Sequence, residues 1–298
     1  MKIQQLRVLV ACAEAGTLRG AAETLSLTHP AVTKTLRELE SEMNVPLVVR
    51  SSRGIELTRF GEALYRRSHQ ILEDVRRAKE EVRQLQGGAT GKVAIGVSGS
   101  IALSVMPRAL KVLRQRMPAV DIEVVELPQK YLTASLLDGS LDLFVTHSPQ
   151  EIHEEFEQHV LRQGRLFVTA RRGHPATECG SLRELLEYEW LYPSQTIDKG
   201  EFTRLFAELG MEAPQNVVTC QSSLLALGLL AETDTIALYP LPYITHSVAR
   251  DRLTAIRVQE PLPKVTASVI TRRGVTLTPA AVTCYEAIQG VMQNLDWV

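Results

Sequence analysis

The chain is poor in the residues that announce chemistry. Of its 298 residues four are cysteine, Cys12, Cys179, Cys220 and Cys284, and none forms a CxxC pair. That scatter argues against a zinc ribbon or dithiol redox centre and predicts four reduced, structural thiols. No run approaches the roughly 18 apolar residues of a bilayer span. The opening M-K-I-Q-Q-L-R is polar and not leader-like, so a cytoplasmic protein without a membrane partner is expected. Low-complexity tracts are missing, and 45% hydrophobic with 22% charged residues is ordinary globular material, long enough for two or three domains. A net charge of −1 excludes a polybasic nucleic-acid coat. Catalytic signatures are missing as well: no GxSxG elbow, no P-loop, no GxGxxG after a strand and no HExxH. His147, His153 and His159 stand six residues apart, a spacing that suits no metal site, and read as surface. Catalysis, a metal and a cofactor are therefore not expected.

What charge there is falls unevenly. Residues 1–86 hold 14 Lys+Arg against 11 Asp+Glu, a net +3, and the remainder is −4. A mildly cationic head on an anionic body suits a DNA-binding module attached to something else. Ile3, Leu6, Val10 and Ala13 place a first helix over 3 to about 15, ended by Gly16. Thr17 is a plausible cap for a second, with Leu18, Ala21, Ala22 and Leu25 on one face. After the break at Ser26-Leu27, Thr28 can cap a third helix whose first turn tolerates Pro30. Val32, Leu36, Leu39 and Met43 form its buried stripe. Thr28, His29, Thr33, Lys34 and Arg37 remain on the outside, a set that can enter a major groove N-terminus first. On spacing alone an ordinary αα-hairpin fits equally well.

The surrounding residues separate the two. The string A-A-E-T-L-S-L-T-H-P-A-V-T-K-T-L-R-E-L-E, followed by P-L-V-V-R-S-S-R-G-I-E-L-T-R-F-G, resembles the winged helix-turn-helix of bacterial LysR-type transcriptional regulators. His29 stands where glutamine is usual and Val48 where phenylalanine is usual. The resemblance implies that Thr33, Lys34 and Arg37 face base edges, with Thr28, His29 and Pro30 at the helix entry. Arg19 and the hairpin arginines, Arg50 and Arg53, would hold phosphate or the minor groove. Without that context Arg50 and Arg53 are two solvated turn residues.

From Thr58 to about Gln86 the chain reads as one long helix. Leu64, Ser68, Ile71, Val75, Ala78, Val82 and Leu85 alternate by four and three residues, a heptad seam that predicts pairing of two chains. A lone amphipathic helix is the alternative. Gly87 to Gly91 then reads as a hinge.

Beyond it strands and helices alternate, which implies a sheet covered on both faces. The helix following the first strand is expected over Leu103 to Met117. Two α/β sets with crossovers near Arg162 and Thr266 describe a bilobal binder, similar to the effector domain of the same regulators and to periplasmic solute-binding proteins. The expected fold is α/β, multi-domain: a winged helix-turn-helix over 1–58, a linker and dimerisation helix over 59–87, and an effector domain over 88–298. Its first lobe spans about 91–162 with 267–298, and its second about 163–266.

Ligands of such domains sit at the carboxyl ends of strands. Ser98, Gly99 and Ser100 follow the first strand, Thr146 and His147 end the third, Ser194 and Gln195 follow W-L-Y-P, and Ser222 opens another helix. Hydroxyls beside free helical N–H groups suit a small anion, a carboxylate or sulfonate. Each residue alone is as readily a cap, and Tyr192 is as readily core. The expected partners are double-stranded promoter DNA, a small-molecule effector and the chain itself, as a dimer. The resemblance implies a tetramer made of two dimers that bends DNA. A bilobal binder with only non-specific DNA affinity is the competing reading.

Overall fold

The computed structural model describes residues 1–51, 54–85, 90–148, 153–193 and 199–297. The chain divides into two units, Met1–Leu85 with Leu137–Ser140, and Gln86–Leu136 with Leu141–Val298.

The first unit opens with α1 (Ile3–Ala15), α2 (Leu18–Leu25) and α3 (His29–Met43). Thr17 caps α2 by accepting from the Gly20 N–H, and Thr28 caps α3 by accepting from the Ala31 N–H. Ser26 closes α2 in the left-handed region at φ 53°, which turns the chain sharply enough to launch α3. Ala21 and Ala22 are buried where the helices meet, and Val8, Leu9, Val32, Leu36 and Leu39 fill the core between them. The wing follows as β1 (Val48–Ser51) and β2 (Gly54–Leu57), antiparallel with Val48 opposite Leu57. It is tied down twice. The Glu40 carboxylate accepts from the Leu47 and Val48 amides at 2.9 and 3.3 Å, and the Ile55 N–H donates to the Gly16 carbonyl at 2.8 Å. Gly54 makes the second tie possible: its φ is +126°, and a Cβ there would lie 2.4 Å from the Gly16 carbonyl oxygen.

α4 (Arg59–Leu85) runs without a break and packs along α1. Thr58 opens it, its hydroxyl accepting from the Gly61 N–H at 3.0 Å and donating to the Pro46 carbonyl at 2.7 Å. The expected seam divides in two. Leu64 is partly buried against the head core and Ser68 is fully buried, so these two face inward. Ile71 and Val82 remain 38% and 56% exposed, Ala78 is exposed and Val75 half-buried. The Leu85 side chain and residues 87–89 of the expected hinge lie outside the described residues, and the hinge's last two residues, Thr90 and Gly91, are strand instead, paired with Ala119 and Val120.

In the second unit β3 (Thr90–Val97) leads to α5 (Gly99–Ser104) and α6 (Met106–Arg116), then β4 (Ala119–Glu126), α7 (Gln129–Asp138) and β5 (Leu143–Ser148). The single helix expected over 103–117 is thus two. Pro107 is the reason, because it is tolerated only in a first turn, and α6 begins one residue before it. Next come β6 (Phe156–Arg171), a 3₁₀ turn at Pro175–Glu178, α8 (Leu182–Leu185), β7 (Trp190–Pro193), α9 (Lys199–Glu208), β8 (Val217–Cys220), α10 (Ser223–Glu232) and β9 (Ala237–Pro240). α11 (Leu241–Ile244), β10 (Leu253–Ile256), β11 (Lys264–Arg272) and α12 (Pro279–Gln293) complete the order.

Seven strands pair in the order β10-β6-β11-β5-β3-β4, with β9 also on β6. β3 is parallel to β4 and β5, and β6 and β11 are antiparallel to each other over Phe156–Arg165, with a register shift between Ala267 and Ser268. The long β6 serves two cores. Its first half belongs with β3, β5, α6 and α12 around Val93, Ile95, Val145, Ile288 and Trp297. Its second half carries β9 and β10 and meets a separate core around Trp190, Phe202 and Phe206. Two cores sharing the one long strand β6 are the bilobal architecture. Tyr192, left open by the sequence, is core at 4% exposed.

Candidate DNA-reading and effector sites

The outer face of α3 presents, along the whole helix, an open groove lined by His29, Pro30, Thr33, Lys34, Arg37, Glu38, Ser41 and Glu42. The stripe Val32–Leu36–Leu39 is wholly buried, so the helix cannot turn these residues inward. Lys34 is 81% exposed and lies 3.9 Å from Glu38, too long and too wet an ion pair to hold it. Arg19 is equally free in solvent, with Glu23 at 3.1 Å. Thr33 differs from expectation: it is half-buried and its hydroxyl is shielded, with no partner among the described residues. The backbone of Arg50 lies in β1, but its side chain and all of Arg53 lie outside the described residues.

In the second unit the carboxyl ends of β3, β4 and β5 converge. They bring together Ser98, Gly99 and Ser100, the end residue Glu126, and Thr146 with His147. The Ser98 N–H donates to the Val145 carbonyl at 3.1 Å, stitching two of these ends. The Ser98 hydroxyl is buried and has no partner among the described residues. Ser100 Oγ lies 2.7 Å from His147 Nδ1. Thr146 is buried, its hydroxyl 3.4 Å from the His147 carbonyl.

His147 is a correction. The spacing alone puts it on the surface with His153 and His159, yet it is 2% exposed, because it extends the Leu143–Val145 face of β5 into the first core. Its ring packs against Trp297 with centroids 5.2 Å apart. Burial pushes its pKa down to about 3, so the imidazole is neutral. His153 and His159 keep two-thirds and two-fifths of their side-chain exposure.

α10 faces the same place from a further buried cluster, in which its Ala226 and Leu230 pack with Leu191, Tyr239 and Tyr243. Ser222 is exposed and caps it, accepting from the Leu225 N–H at 3.2 Å. Ser223, its first residue, donates a short hydrogen bond to the Glu126 carboxylate. The approach is close: a Cβ on Gly99 would lie 1.7 Å from Ser223 Oγ and 2.6 Å from Ser223 Cβ. Below, Tyr239 and Tyr243 stack 4.1 Å apart, and burial raises the Tyr239 hydroxyl far above the usual phenol range. Ser194 and Gln195 lie outside the described residues. Glu126 and Ser223 were not foreseen, although Glu126 ends an alternating strand and so occupies the position at which ligands of such sheets are met.

All four cysteines are thiols rather than disulfides. Burial drives Cys284 up to about 12, which leaves it unreactive. Among the described residues no three His, Cys, Asp or Glu side chains are placed to hold a metal, and no helix is long and apolar enough to cross a membrane.

A helix-turn-helix with a wing, joined through a long helix to a two-lobed α/β domain, defines a DNA-binding regulator that carries a small-molecule sensor. Known proteins show the same assembly. Residues 3–62 match the bacterial regulatory helix-turn-helix of the lysR family, and residues 86–293 match the LysR substrate binding domain. The regulator GbpR of Rhizobium radiobacter is 32% identical over 241 residues, 79% of this chain and 80% of its own. BenM of Acinetobacter baylyi is 26% identical across 98% of this chain and 96% of its own. Among solved structures, CbnR, a LysR family transcriptional regulator, superposes with a TM-score of 0.69 at 21% identity, covering 98% of this chain and 99% of that one. CbnR complexed with its target DNA gives 0.68, with 98% and 100% covered. The chain belongs to the LysR-type transcriptional regulator family: it is a DNA-binding transcriptional regulator with an effector-binding domain.

Proposed function

We propose that the protein reads a two-fold promoter site as a dimer built on α4, assembled further into a tetramer, and that a small carboxylate or sulfonate sets its activity. The observation that carries this reading is the exposed N-terminal half of α3, which offers His29, Lys34 and Arg37 together while its apolar stripe is sealed. Arg37 bonds guanine in two places, and Arg19, Arg50 and Arg53 hold phosphate. Thr33 contributes its methyl face to thymine, since its hydroxyl is shielded. One recognition helix reads too few base pairs to be specific, so the half-exposed run Ile71–Val75–Ala78–Val82 is taken as the contact with a second copy. The solved complex of CbnR with its target DNA supports the assignment of the head.

The effector is placed among Ser98, Gly99, Ser100, Thr146, His147 and Ser222, with Ser194 and Gln195. It acts by differential affinity, because a ligand that binds two arrangements equally shifts neither. The protein is cytoplasmic and not an enzyme. The Ser100–His147 pair is no catalytic dyad on this reading, because an imidazole whose pKa burial has pushed down to about 3 is a feeble base.

The experiment is a footprint on the DNA upstream of the protein's own gene at two salt concentrations. A protected two-fold site that survives competitor DNA supports the proposal. Protection that fades alike on every sequence as salt rises would leave only phosphate binding and favour a ligand binder without an operator.

A further inference from the structure

The Glu126 carboxylate stands at the carboxyl end of β4. Among the described residues it pairs with no lysine, arginine or histidine. Its partner is the hydroxyl of Ser223, at the N-terminus of a ten-residue helix already capped by Ser222. Helix N-termini favour negative charge, through unpaired N–H groups and the aligned peptide dipoles. Glu126 comes from the first lobe, Ser223 from the second, and Gly99 of the serine-glycine-serine loop lies against both. A Cβ on Gly99 would fall 3.0 Å from Glu126 Oε1 as well as on Ser223. One residue away, Ser98 keeps a hydroxyl that is 2% exposed and unpartnered, and a buried polar group left so is destabilising unless something comes to meet it. The place therefore has the attributes of an anion seat, and an anion of the protein's own is already in it.

We propose that Glu126 is an internal stand-in for the effector's carboxylate, occupying the seat at Ser223 until a ligand displaces it. The proposal rests on the reading of this cleft as the effector site. Ser223 and the unpartnered Ser98 hydroxyl then receive the incoming carboxylate. The displaced side chain meets little resistance. β4 is the edge strand of the sheet and Glu126 is already exposed, so it swings into water. The two lobes exchange a direct Glu126–Ser223 bond for one bridged by ligand, and that exchange is the differential contact by which binding alters the relation of the lobes.

The test uses the full-length protein and three probes, acetate, succinate and benzoate, at an ionic strength held constant with chloride. Calorimetric titration of Glu126→Gln should give at least one probe a Kd about tenfold below wild type, as expected when a seat occupied nine-tenths of the time is vacated. Glu126→Ala must move affinity in the same direction, and Ser223→Ala must weaken binding in both backgrounds. On operator DNA, Glu126→Gln without ligand should reproduce the footprint that wild type gives with saturating probe. Variants that bind no probe, or none more tightly than wild type, overturn the stand-in. Tighter binding with an unaltered operator footprint would keep the stand-in and refute instead the reading of the cleft as the control site.

Discussion

The buried imidazole of His147 sets a measurable acid limit on the effector domain. Its pKa falls from 6.5 to about 3, and burial is the cause. Above pH 6.5 the ring is neutral in folded and unfolded chains alike and contributes no pH dependence. As pH falls below 6.5 the unfolded chain takes up a proton that the folded chain refuses, so stability declines until the folded ring also protonates near pH 3. Each pH unit in that window removes about 1.4 kcal/mol, hence about 2 kcal/mol at pH 5, against a typical total of roughly 5–15. The comparison is between wild type and His147→Asn, whose side-chain amide stands near the place of Nδ1 and keeps a partner for Ser100. Urea unfolding at pH 7.5 and pH 5.0 is followed by tryptophan fluorescence. The two tryptophans, Trp190 and Trp297, are both buried in the second unit, so the signal reports that unit alone. Wild type should lose about 2 kcal/mol more than the variant between the two pH values. Equal losses would show that the folded ring titrates normally and that the burial argument is wrong.

Three further outcomes follow from the head and its helix. Arg37→Ala should cost about 1–3 kcal/mol at one operator position, measured by competition among single-base operator variants, and an equal loss on all sequences would count against base reading. Ile71→Asp with Val75→Asp should abolish the dimer in sedimentation, and an intact dimer would mean the seam lies elsewhere on the molecule. Gly54→Ala, at a φ of +126° and against the Gly16 carbonyl, should destabilise the head by about 1–3 kcal/mol in calorimetry and weaken operator binding; a variant with unchanged melting would refute the close approach.

Much of the head was legible because its determinants are local. Thr17, Thr28 and Pro30 act within four residues of themselves, and Val32, Leu36 and Leu39 declare a stripe by period alone. α12 was readable for the same reason, with Thr278 as cap and Pro279 in its first turn. The break between α5 and α6 was written in the chain as Pro107, but the apolar periodicity running through it drew the reading of one helix. The sixteen residues of β6 were not legible as one strand. Polar residues fill its first half, and what makes it a strand is pairing with β11, a hundred residues on. The site shows the same division. The loop Ser98–Ser100 and the cap Ser222 announce themselves, whereas Glu126 meets Ser223 across 97 positions and His147 is buried by Trp297. Period and spacing do not carry contacts of that range.

The placement of Trp297 also orders events in time. The head core needs nothing beyond Leu64, while the first core of the effector domain holds both Val93 and Trp297, with Gly164 so close that a Cβ there would press on the tryptophan backbone at 2.8 Å. A ribosome adding roughly 5–20 residues per second therefore releases a foldable head on the order of ten seconds or more before the sensor can close. During that interval the nascent chain has its DNA-reading surface and lacks the part that governs it. Birth order and regulatory order are opposite in this molecule: the DNA-reading surface is made first, and Trp297, which completes the sensor's first core, is made long after it.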